Sequence, residues 1–315
     1  MALIVAAIGP VAGCAAGQRP AMTLDAAREA RSSYRLQLDD PDRRLAWRDA
    51  MIGAATAPTD ASFDLLALSG GGADGAYGAG VLVGWGQSGD RPVFEVVTGV
   101  STGALMAPFA FIGAEGDAEL QAAFVDGRSS GLLRNRGVMA FYGPGLFDQR
   151  PIRNLVEQST SPSVVEAVAR AHRQGRRLYV ATTSLDSQSQ TVWDMGALAA
   201  SDLPDRRARF VDILIASSCI PGVFPPVALP LDDAGRVTEL HADGRTTHNF
   251  FVAPEEALLE TDLFGDAPGH VWIVINGRPE GRYITTAPSG LSVAARGLDA
   301  MMKASTRLNL IAARQ

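Results

Sequence analysis

Ser101 lies in a segment whose spacing is typical of an activated serine nucleophile. Gly99-Val100-Ser101-Thr102-Gly103 matches the pattern G-x-S-x-G. In that pattern a serine sits at a sharp turn between a strand and a helix, and the flanking glycines relieve backbone crowding. Such a serine attacks an ester carbonyl when a neighbouring base takes its proton. We therefore predict acyl-transfer chemistry at Ser101, with Gly99 and Gly103 as motif glycines; a plain Gly/Ser turn is the alternative.

A glycine-rich segment upstream has the composition of an oxyanion hole. It contains the consecutive residues Gly70, Gly71 and Gly72, and Gly75 follows after two further residues. Backbone N–H groups of successive glycines can point at one site beside a helix N-terminus, where partial positive charge accumulates. We predict that Gly70, Gly71 and Gly72 form the oxyanion hole and that Gly75 opens the helix.

The same segment also satisfies G-x-G-x-x-G, the fingerprint of dinucleotide binding, which would make the protein an oxidoreductase. The acidic ribose ligand of that alternative would be Glu95, which follows Gly75 at a suitable distance. That acid belongs at the C-terminal end of the second strand, whereas Glu95 lies at the start of Val96-Val97-Thr98. We therefore disfavour dinucleotide binding.

The base that activates Ser101 is not fixed by a motif. A triad in the chain order Ser…Asp…His would take His248 or His270 as its histidine. Asp243 is the better candidate, since Asp243-Gly244 can form a tight turn at a strand end and face the nucleophile directly. The residues alone leave these alternatives open.

The composition excludes several other classes of function. A net charge of −6 over 315 residues gives no basic footprint for nucleic acid. Two cysteines exclude a disulfide framework and a four-thiolate zinc site. The four histidines include no pair at the helical spacing of a zinc site, and no EF-hand-type loop is present for calcium. We predict that no metal and no cofactor is required.

The N-terminus has the pattern of an export signal. Ala2 to Val11 is apolar, too short to span a bilayer but of the length of a signal-peptide core. Val11-Ala12-Gly13-Cys14 resembles the bacterial lipoprotein signal, in which the cysteine thiol carries a diacylglyceryl group. Several acyl chains together give stable anchoring. A departure from the pattern is that no Lys or Arg precedes the apolar stretch.

This segment sets the expected localisation. We predict that residues 1–20 form a signal and tether, that Cys14 is lipidated, and that the protein is an exported, membrane-anchored lipoprotein of the bacterial cell envelope. If the signal does not function, the protein is expected to stay in the cytoplasm.

Strands and helices that would position the chemical groups alternate along the chain. We predict strands at Phe63–Leu68, Val93–Thr98, Leu178–Thr183 and Val271–Ile275, and helices at Ala76–Trp85, Ala104–Ile112, Pro151–Gln158, Ser163–Gln174, Val211–Ser217 and Leu291–Ala313. This alternation indicates an α/β fold with a mainly parallel sheet.

Further predictions concern domain limits, one helix cap and one apolar segment. Residues 21–61 are predicted to be an N-terminal helical extension and linker, and 62–315 the folded domain, whose continuation beyond the chain end is left open. Ser163 is the expected cap of its helix, with Glu166 as its capping-box partner. The uncharged segment Val96–Ala114 is interpreted as a buried strand-turn-helix and not as a membrane span.

Together the motifs resemble the patatin-like phospholipases, a family of lipid acyl hydrolases that use a Ser–Asp dyad without histidine. The family's oxyanion motif matches Gly70, Gly71, Gly72 and Gly75, its G-x-S-x-G matches Gly99 to Gly103, and its D-G-[GA] matches Asp243-Gly244. Two further stretches, Ala181 to Leu185 and Ala216 to Pro226, are also similar to the family. The resemblance covers about Phe63 to Val252.

The resemblance implies a fold and an activity. It implies a three-layer α/β/α architecture and hydrolysis of lipid or simple carboxylic esters, of the phospholipase A or esterase type. Ser101 would be the nucleophile and Asp243 the base, with N–H groups around Gly71 and Gly72 binding the oxyanion. The expected partners are a lipid or ester substrate and a membrane surface, with no nucleic acid and no obligate protein partner.

Three positions depart from the family pattern. Ser69 stands where the family often has Asp, Asp74 where it often has a basic residue, and Arg245 where it has a small one. We expect Asp74 to point away from the oxyanion hole, because an inward carboxylate would oppose negative charge there. The alternative is a catalytically silent binding module tethered to the membrane, with Asp74 spoiling the oxyanion hole.

The substrate is not fixed by the sequence. The apolar stretch Ile220 to Leu231 is either an acyl-pocket wall or membrane-facing lip, or a structural loop. Nothing in these residues chooses among phospholipids, galactolipids and simple esters.

Overall fold

The computed structural model describes residues 23–36, 41–55, 63–126, 145–253 and 269–313. The signal and tether predicted at 1–20, including Cys14, lie outside these residues, as do residues 56–61 of the predicted linker and Ser62. The predicted lipidation therefore stays a prediction.

Seven strands in the described residues form one mixed, mostly parallel sheet. They are β1 (Phe63–Leu68), β2 (Val96–Val100), β3 (Arg177–Ser184), β4 (Gln190–Asp194), β5 (Val227–Pro230), β6 (Thr238–Asp243) and β7 (Gly269–Val274). Their order is β5-β6-β3-β2-β1-β7, with β4 also paired to β3. The neighbours β7, β1, β2 and β3 run parallel, while β4, β5 and β6 pair antiparallel.

Helices flank this sheet and surround its loops. They are α1 (Leu24–Glu29), α2 (Pro41–Ala55), α3 (Gly75–Ser88), α4 (Thr102–Ile112), α5 (Asp117–Leu120), α6 (Arg150–Ser159), α7 (Pro162–Arg173), α8 (Met195–Ala200), α9 (Arg206–Ser217) and α10 (Gly290–Ala312). The arrangement is the predicted three-layer α/β/α fold.

The central strands are rich in apolar residues because both faces of the sheet are covered. All residues of β1 are buried. Leu66 and Leu68 belong to one core cluster, whereas Leu65 and Ala67 belong to a second. Successive side chains of a strand point to opposite faces, so the two clusters are the two layers of core on either side of the sheet.

The segment before β1 packs onto the β3–β4 side of the sheet. Tyr34 stacks on Trp193 with ring centroids 5.9 Å apart, and the Leu36 N–H donates to the Val192 carbonyl. Trp47 of α2 lies against Tyr179 of β3. These contacts hold residues of the N-terminal extension against the sheet.

Several predicted elements differ from those observed. The strand predicted at Val93–Thr98 is β2, which begins at Val96 and runs on to Val100. The cap of α7 is Ser161, whose hydroxyl accepts from the Val164 N–H, so the prediction of Ser163 as cap was wrong. Proline at the first helical position fixes the helix start one residue after Ser161. Strands β4, β5 and β6 were not predicted.

The uncharged segment Val96–Ala114 forms β2, a turn and α4, as predicted. Both elements are buried, α4 on nearly all sides. In the part of the chain that is described, no helix is long and apolar enough to cross a membrane.

Candidate active site

Ser101 occupies a strained turn at the C-terminal end of β2. Its backbone has φ 55° and ψ −125°, which is uncommon for a residue with a β-carbon. The turn leads directly into α4, so the serine side chain stands at the carboxyl edge of the sheet. Gly103 makes this possible, because a β-carbon there would lie 2.3 Å from the Leu68 backbone oxygen. This strand-to-helix turn has the geometry of the elbow that the G-x-S-x-G spacing predicts.

A buried serine from α9 holds the elbow in place. The Ser101 N–H donates to Ser217 Oγ at 2.9 Å, and Ser217 Oγ donates to the Ala181 carbonyl at 2.7 Å. Ser217 is fully buried. It thereby ties the turn to β3 through two hydrogen bonds, one accepted and one donated.

Asp243 ends β6 and faces Ser101. Ser101 Oγ donates to Asp243 Oδ2 at 2.7 Å, and the Arg245 N–H donates to Asp243 Oδ1 at 2.8 Å. The Asp243 N–H donates to the Cys219 carbonyl at 2.8 Å. Both carboxylate oxygens are thus engaged, and the residues Ser101 and Asp243 are 2% and 1% exposed.

Burial makes Asp243 a stronger base than an ordinary aspartate. Desolvation raises its pKa from 3.8 to about 6, against the lowering effects of the Ser101 hydroxyl, the Arg245 N–H and the Arg245 charge. A general base works best when its pKa approaches the working pH. The carboxylate is therefore ionised near neutral pH and more ready to accept a proton.

The histidines that a triad would use do not reach the serine. Among the described residues, the hydroxyl of Ser101 bonds to Asp243 and to neither His248 nor His270. His270 is the second residue of β7, and its Nδ1 lies 3.3 Å from Asp64 Oδ1 of β1, at the amino edge of the parallel strands. Ser101 follows the carboxyl end of β2, at the opposite edge of the sheet.

The glycine-rich loop lies beside the elbow. The N–H groups of its glycines differ in whether they already donate to a backbone carbonyl. The Gly70 N–H donates to the Asn249 carbonyl, so Gly70 is not free to donate to a substrate. Gly72 has φ +58°, a conformation that favours glycine, and its carbonyl accepts from the Thr102 hydroxyl. Of the three glycines predicted for the oxyanion hole, Gly71 and Gly72 remain as candidate donors.

Asn276 supports this loop from the end of β7. Its N–H donates to Ser69 Oγ, its amide nitrogen donates to the Ser69 carbonyl, and its Oδ1 accepts from the Gly78 N–H. A β-carbon on Gly71 would lie 2.3 Å from Asn276 Cβ, so the loop rests directly on this side chain. Sequence reasoning missed both Asn276 and Ser217, although Ser217 lies in a stretch similar to the family.

The other motif glycines lie where the motifs predict. Gly75 begins α3, Gly99 lies in β2, Gly103 lies in the first turn of α4, and Gly244 directly follows β6. The Ser69 hydroxyl donates to the Gly70 carbonyl.

Asp74 is exposed and lies next to Gly277, in the loop after β7. Its Oδ2 would lie 3.2 Å from a β-carbon on Gly277. Asp74 and Arg245 both line a cavity of about 1090 Å³ at this edge of the sheet, together with residues of α10 and the loop after β7.

The apolar stretch Ile220 to Leu231 contributes to the core. Phe224, Leu229 and Leu231 are buried in the larger core cluster, and the second half of the stretch forms β5. These contacts favour the structural interpretation of the stretch. The thiol of Cys219 is also buried, which raises its pKa to about 12.

The described residues form neither the dinucleotide site that Glu95 would complete nor a metal site. The Glu95 carboxylate accepts from the Asp64 N–H at the amino edge of the sheet, across the strands from Gly70–Gly75. Within the described ranges, no cluster of three or more His, Cys, Asp or Glu side chains is arranged to hold a metal ion.

Comparison with known proteins gives one family. The family model described as patatin-like phospholipase matches residues 66–254, which is more than half of the chain. A search of curated proteins finds no match. The matched range contains the elbow, the glycine-rich loop and Asp243.

Proposed function

Because the chain belongs to the patatin-like phospholipase family, which supports lipid acyl hydrolase activity in general, we propose that it cleaves carboxylic esters with a Ser101–Asp243 dyad. The observation that carries the proposal is the 2.7 Å hydrogen bond from Ser101 Oγ to Asp243 Oδ2 at the strained elbow. A serine hydroxyl needs an adjacent base, and this carboxylate is the base in contact with it.

Acylation begins when Asp243 Oδ2 accepts the hydroxyl proton of Ser101 and Oγ bonds to the ester carbonyl carbon. The carbonyl oxygen becomes an oxyanion, which the N–H groups of Gly71 and Gly72 face. One such donor is typically worth about 3–4 kcal/mol of barrier. The intermediate collapses by breaking the bond to the alcohol oxygen, which takes the proton from Asp243 and leaves as the free alcohol.

Deacylation reverses these roles. Asp243 takes a proton from water, the hydroxide attacks the acyl carbon, and Gly71 and Gly72 again hold the oxyanion. Collapse releases the carboxylic acid, and Ser101 Oγ recovers the proton from Asp243. No step calls for a cofactor.

The Thr102 N–H is a further donor in this proposal. It follows the nucleophile at the first position of α4, where an N–H has no acceptor within the helix. In serine hydrolases with this elbow, the residue after the nucleophile commonly supplies one oxyanion donor.

The test is hydrolysis of short-chain esters, long-chain esters and phospholipids by the chain without residues 1–20. We expect Ser101→Ala and Asp243→Asn each to lose most of the activity, on the order of 10⁴-fold by analogy with triad enzymes. His248→Ala and His270→Ala are the matched controls and should keep it. Activity that survives Asp243→Asn but not a histidine variant contradicts the dyad. A wild-type protein that hydrolyses none of these substrates contradicts the proposal and favours the silent binding module.

We also propose that the mature protein is anchored in the bacterial cell envelope through Cys14. The support is the uncharged apolar stretch that ends in Val11-Ala12-Gly13-Cys14. Expression of the full chain in a bacterium, followed by mass spectrometry of the N-terminal peptide, tests it. A diacylglyceryl group on Cys14 that is absent from Cys14→Ser is expected; an unmodified cysteine and a cytoplasmic protein contradict it.

A further inference from the structure

The side chain of Arg245 lies directly over the glycine-rich loop next to the nucleophile. A β-carbon on Gly70 would stand 2.1 Å from Arg245 Cδ, 2.5 Å from Arg245 Cγ and 2.9 Å from Ser101 Cβ. The aliphatic part of the arginine and the nucleophile therefore share one small area above Gly70. Arg245 also contributes to the lining of the 1090 Å³ cavity.

One N–H donor of the Arg245 guanidinium lacks a hydrogen-bond acceptor in the described part of the chain. Its Nε is buried and has no hydrogen-bond partner among the described residues. A buried donor without a partner is costly, so a site of this kind favours a ligand that brings an acceptor. An arginine matches the oxygens of a phosphate in a two-point contact, which a neutral hydroxyl cannot equal.

The charges around the cavity leave Arg245 as the cation beside the nucleophile. Lys303 and Arg296 of α10 are both paired with Asp299. Arg278 and Arg282 lie on the exposed outer loop, where Glu280 also lies, and Asp74 stands beside Gly277. The cavity wall is thus mixed in charge, and the positive group adjacent to Ser101 comes from Arg245.

We propose that Arg245 is a specificity-determining residue, whose guanidinium binds the phosphodiester of a lipid substrate while Ser101 attacks its acyl ester. This inference rests on the proposed function. It selects phosphate-bearing esters over neutral acylglycerols and galactolipids, a choice that the motifs leave open. Arg245 follows Asp243 by two residues, and its N–H donates to Asp243 Oδ1. The residue that binds the headgroup is therefore in direct contact with the proposed catalytic base.

The test compares two soluble substrates with the same acyl groups, dihexanoyl phosphatidylcholine and dihexanoylglycerol. The measured quantity is the ratio of kcat/KM for the phosphodiester to kcat/KM for the neutral ester. Arg245→Ala should lower this ratio by roughly 10- to 100-fold, the range for loss of a hydrogen bond to a charged group. Arg245→Lys, which keeps the charge but not the two-point contact, should lower it less. Arg173→Ala is the control for net charge, because this exposed α7 residue lies outside the cavity lining.

A second readout does not depend on turnover. Glycerophosphocholine is titrated into Ser101→Ala protein, with and without the additional Arg245→Ala change, by calorimetry. We expect at least about tenfold weaker binding without the arginine. Equal binding, or a fall in kcat/KM that is the same for both substrates, overturns the inference and assigns Arg245 to the oxyanion or to packing. If the wild type hydrolyses neither substrate, the proposed function fails, while the titration still decides the role of Arg245.

Discussion

Replacing Asp243 by asparagine is expected to stabilise the fold while it removes the proposed base. The carboxylate is buried, and desolvation holds its pKa at about 6 instead of 3.8. Asparagine has nearly the same shape and no charge to desolvate. Its Oδ1 can accept from the Arg245 N–H, and its amide can donate to Ser101 Oγ, so both contacts of the side chain have a replacement.

The size and sign of the effect follow from proton linkage. Between pH 3.8 and about 6 the folded protein binds more protons at Asp243 than the unfolded chain, so stability falls as pH rises through this window. Below it, the group is protonated in both states and costs nothing. Above it, the shift corresponds to a destabilisation of about 3 kcal/mol in the wild type. Asp243→Asn should therefore be more stable near neutral pH by up to this amount.

The assay is urea unfolding followed by tryptophan fluorescence at several values between about pH 4 and pH 8. The gap between variant and wild type should open as the pH rises from about 4 to about 6 and should stay constant above that range. Asp232→Asn is the matched control. Burial raises the pKa of Asp232, but the N–H groups of Arg236 and Val237 and the Arg236 guanidinium outweigh it and hold the pKa below its ordinary value. Its carboxylate therefore contributes stability at neutral pH, and the control should be destabilised there.

Two results would refute this reasoning. One is an Asp243→Asn variant that is less stable than the wild type near pH 8. The other is a difference in the free energy of unfolding that does not change with pH. Either result would mean that Asp243 is not a desolvated carboxylate in the folded protein.

Three further predictions concern the same elements. The kcat/KM of the wild type for a neutral short ester should fall about tenfold per pH unit below about pH 6, as Asp243 becomes protonated; a profile flat to pH 5 contradicts this. Ser217→Ala should lower both kcat and stability, the latter by about 1–3 kcal/mol, because the Ser101 N–H loses its acceptor; kinetics and urea unfolding that match the wild type would argue against it. Gly103→Ala should destabilise the fold by about 1–3 kcal/mol or abolish expression, since the new methyl meets the Leu68 carbonyl; a folded variant with unchanged stability and activity would be inconsistent with the elbow.

The parts of the site that could be predicted are those formed by residues that are consecutive in the sequence. The nucleophile turn, the glycine-rich loop and the Asp-Gly turn each depend on local backbone geometry, which a short motif records. The parallel strands were predictable because a strand covered on both faces is mostly apolar, as in β1, where Asp64 is the one polar residue.

The contacts that Ser217 and Asn276 make with the site could not be predicted, because they join residues that are far apart in the sequence. Ser217 reaches Ser101 across 116 residues, and Asn276 reaches Ser69 across 207. Each is a single small polar residue that resembles an ordinary turn or helix residue until the chain folds. The strand β5 has only four residues, and β4 and β6 carry polar residues such as Gln190 and Glu239, so their apolar pattern is weak.

The contacts of the Arg245 side chain also could not be predicted from the sequence. The sequence marks it only as a bulky residue where a small one is typical. The structure adds that its side chain lies over Gly70 and beside Ser101, because the turn after Asp243 points it there. The departure from the motif at Arg245 could be interpreted only once the structure showed which residues its side chain covers.

The central claim, that Ser101 is a nucleophile activated by Asp243, is tested most directly by labelling with a fluorophosphonate. The measurement is the rate of covalent modification at about pH 7.5, with the site identified by peptide mass spectrometry. The account predicts one modified residue, Ser101, no labelling in Ser101→Ala, much slower labelling in Asp243→Asn, and wild-type rates in His248→Ala and His270→Ala. Labelling of Asp243→Asn at the wild-type rate, or an unreactive Ser101 in the intact protein, would contradict it.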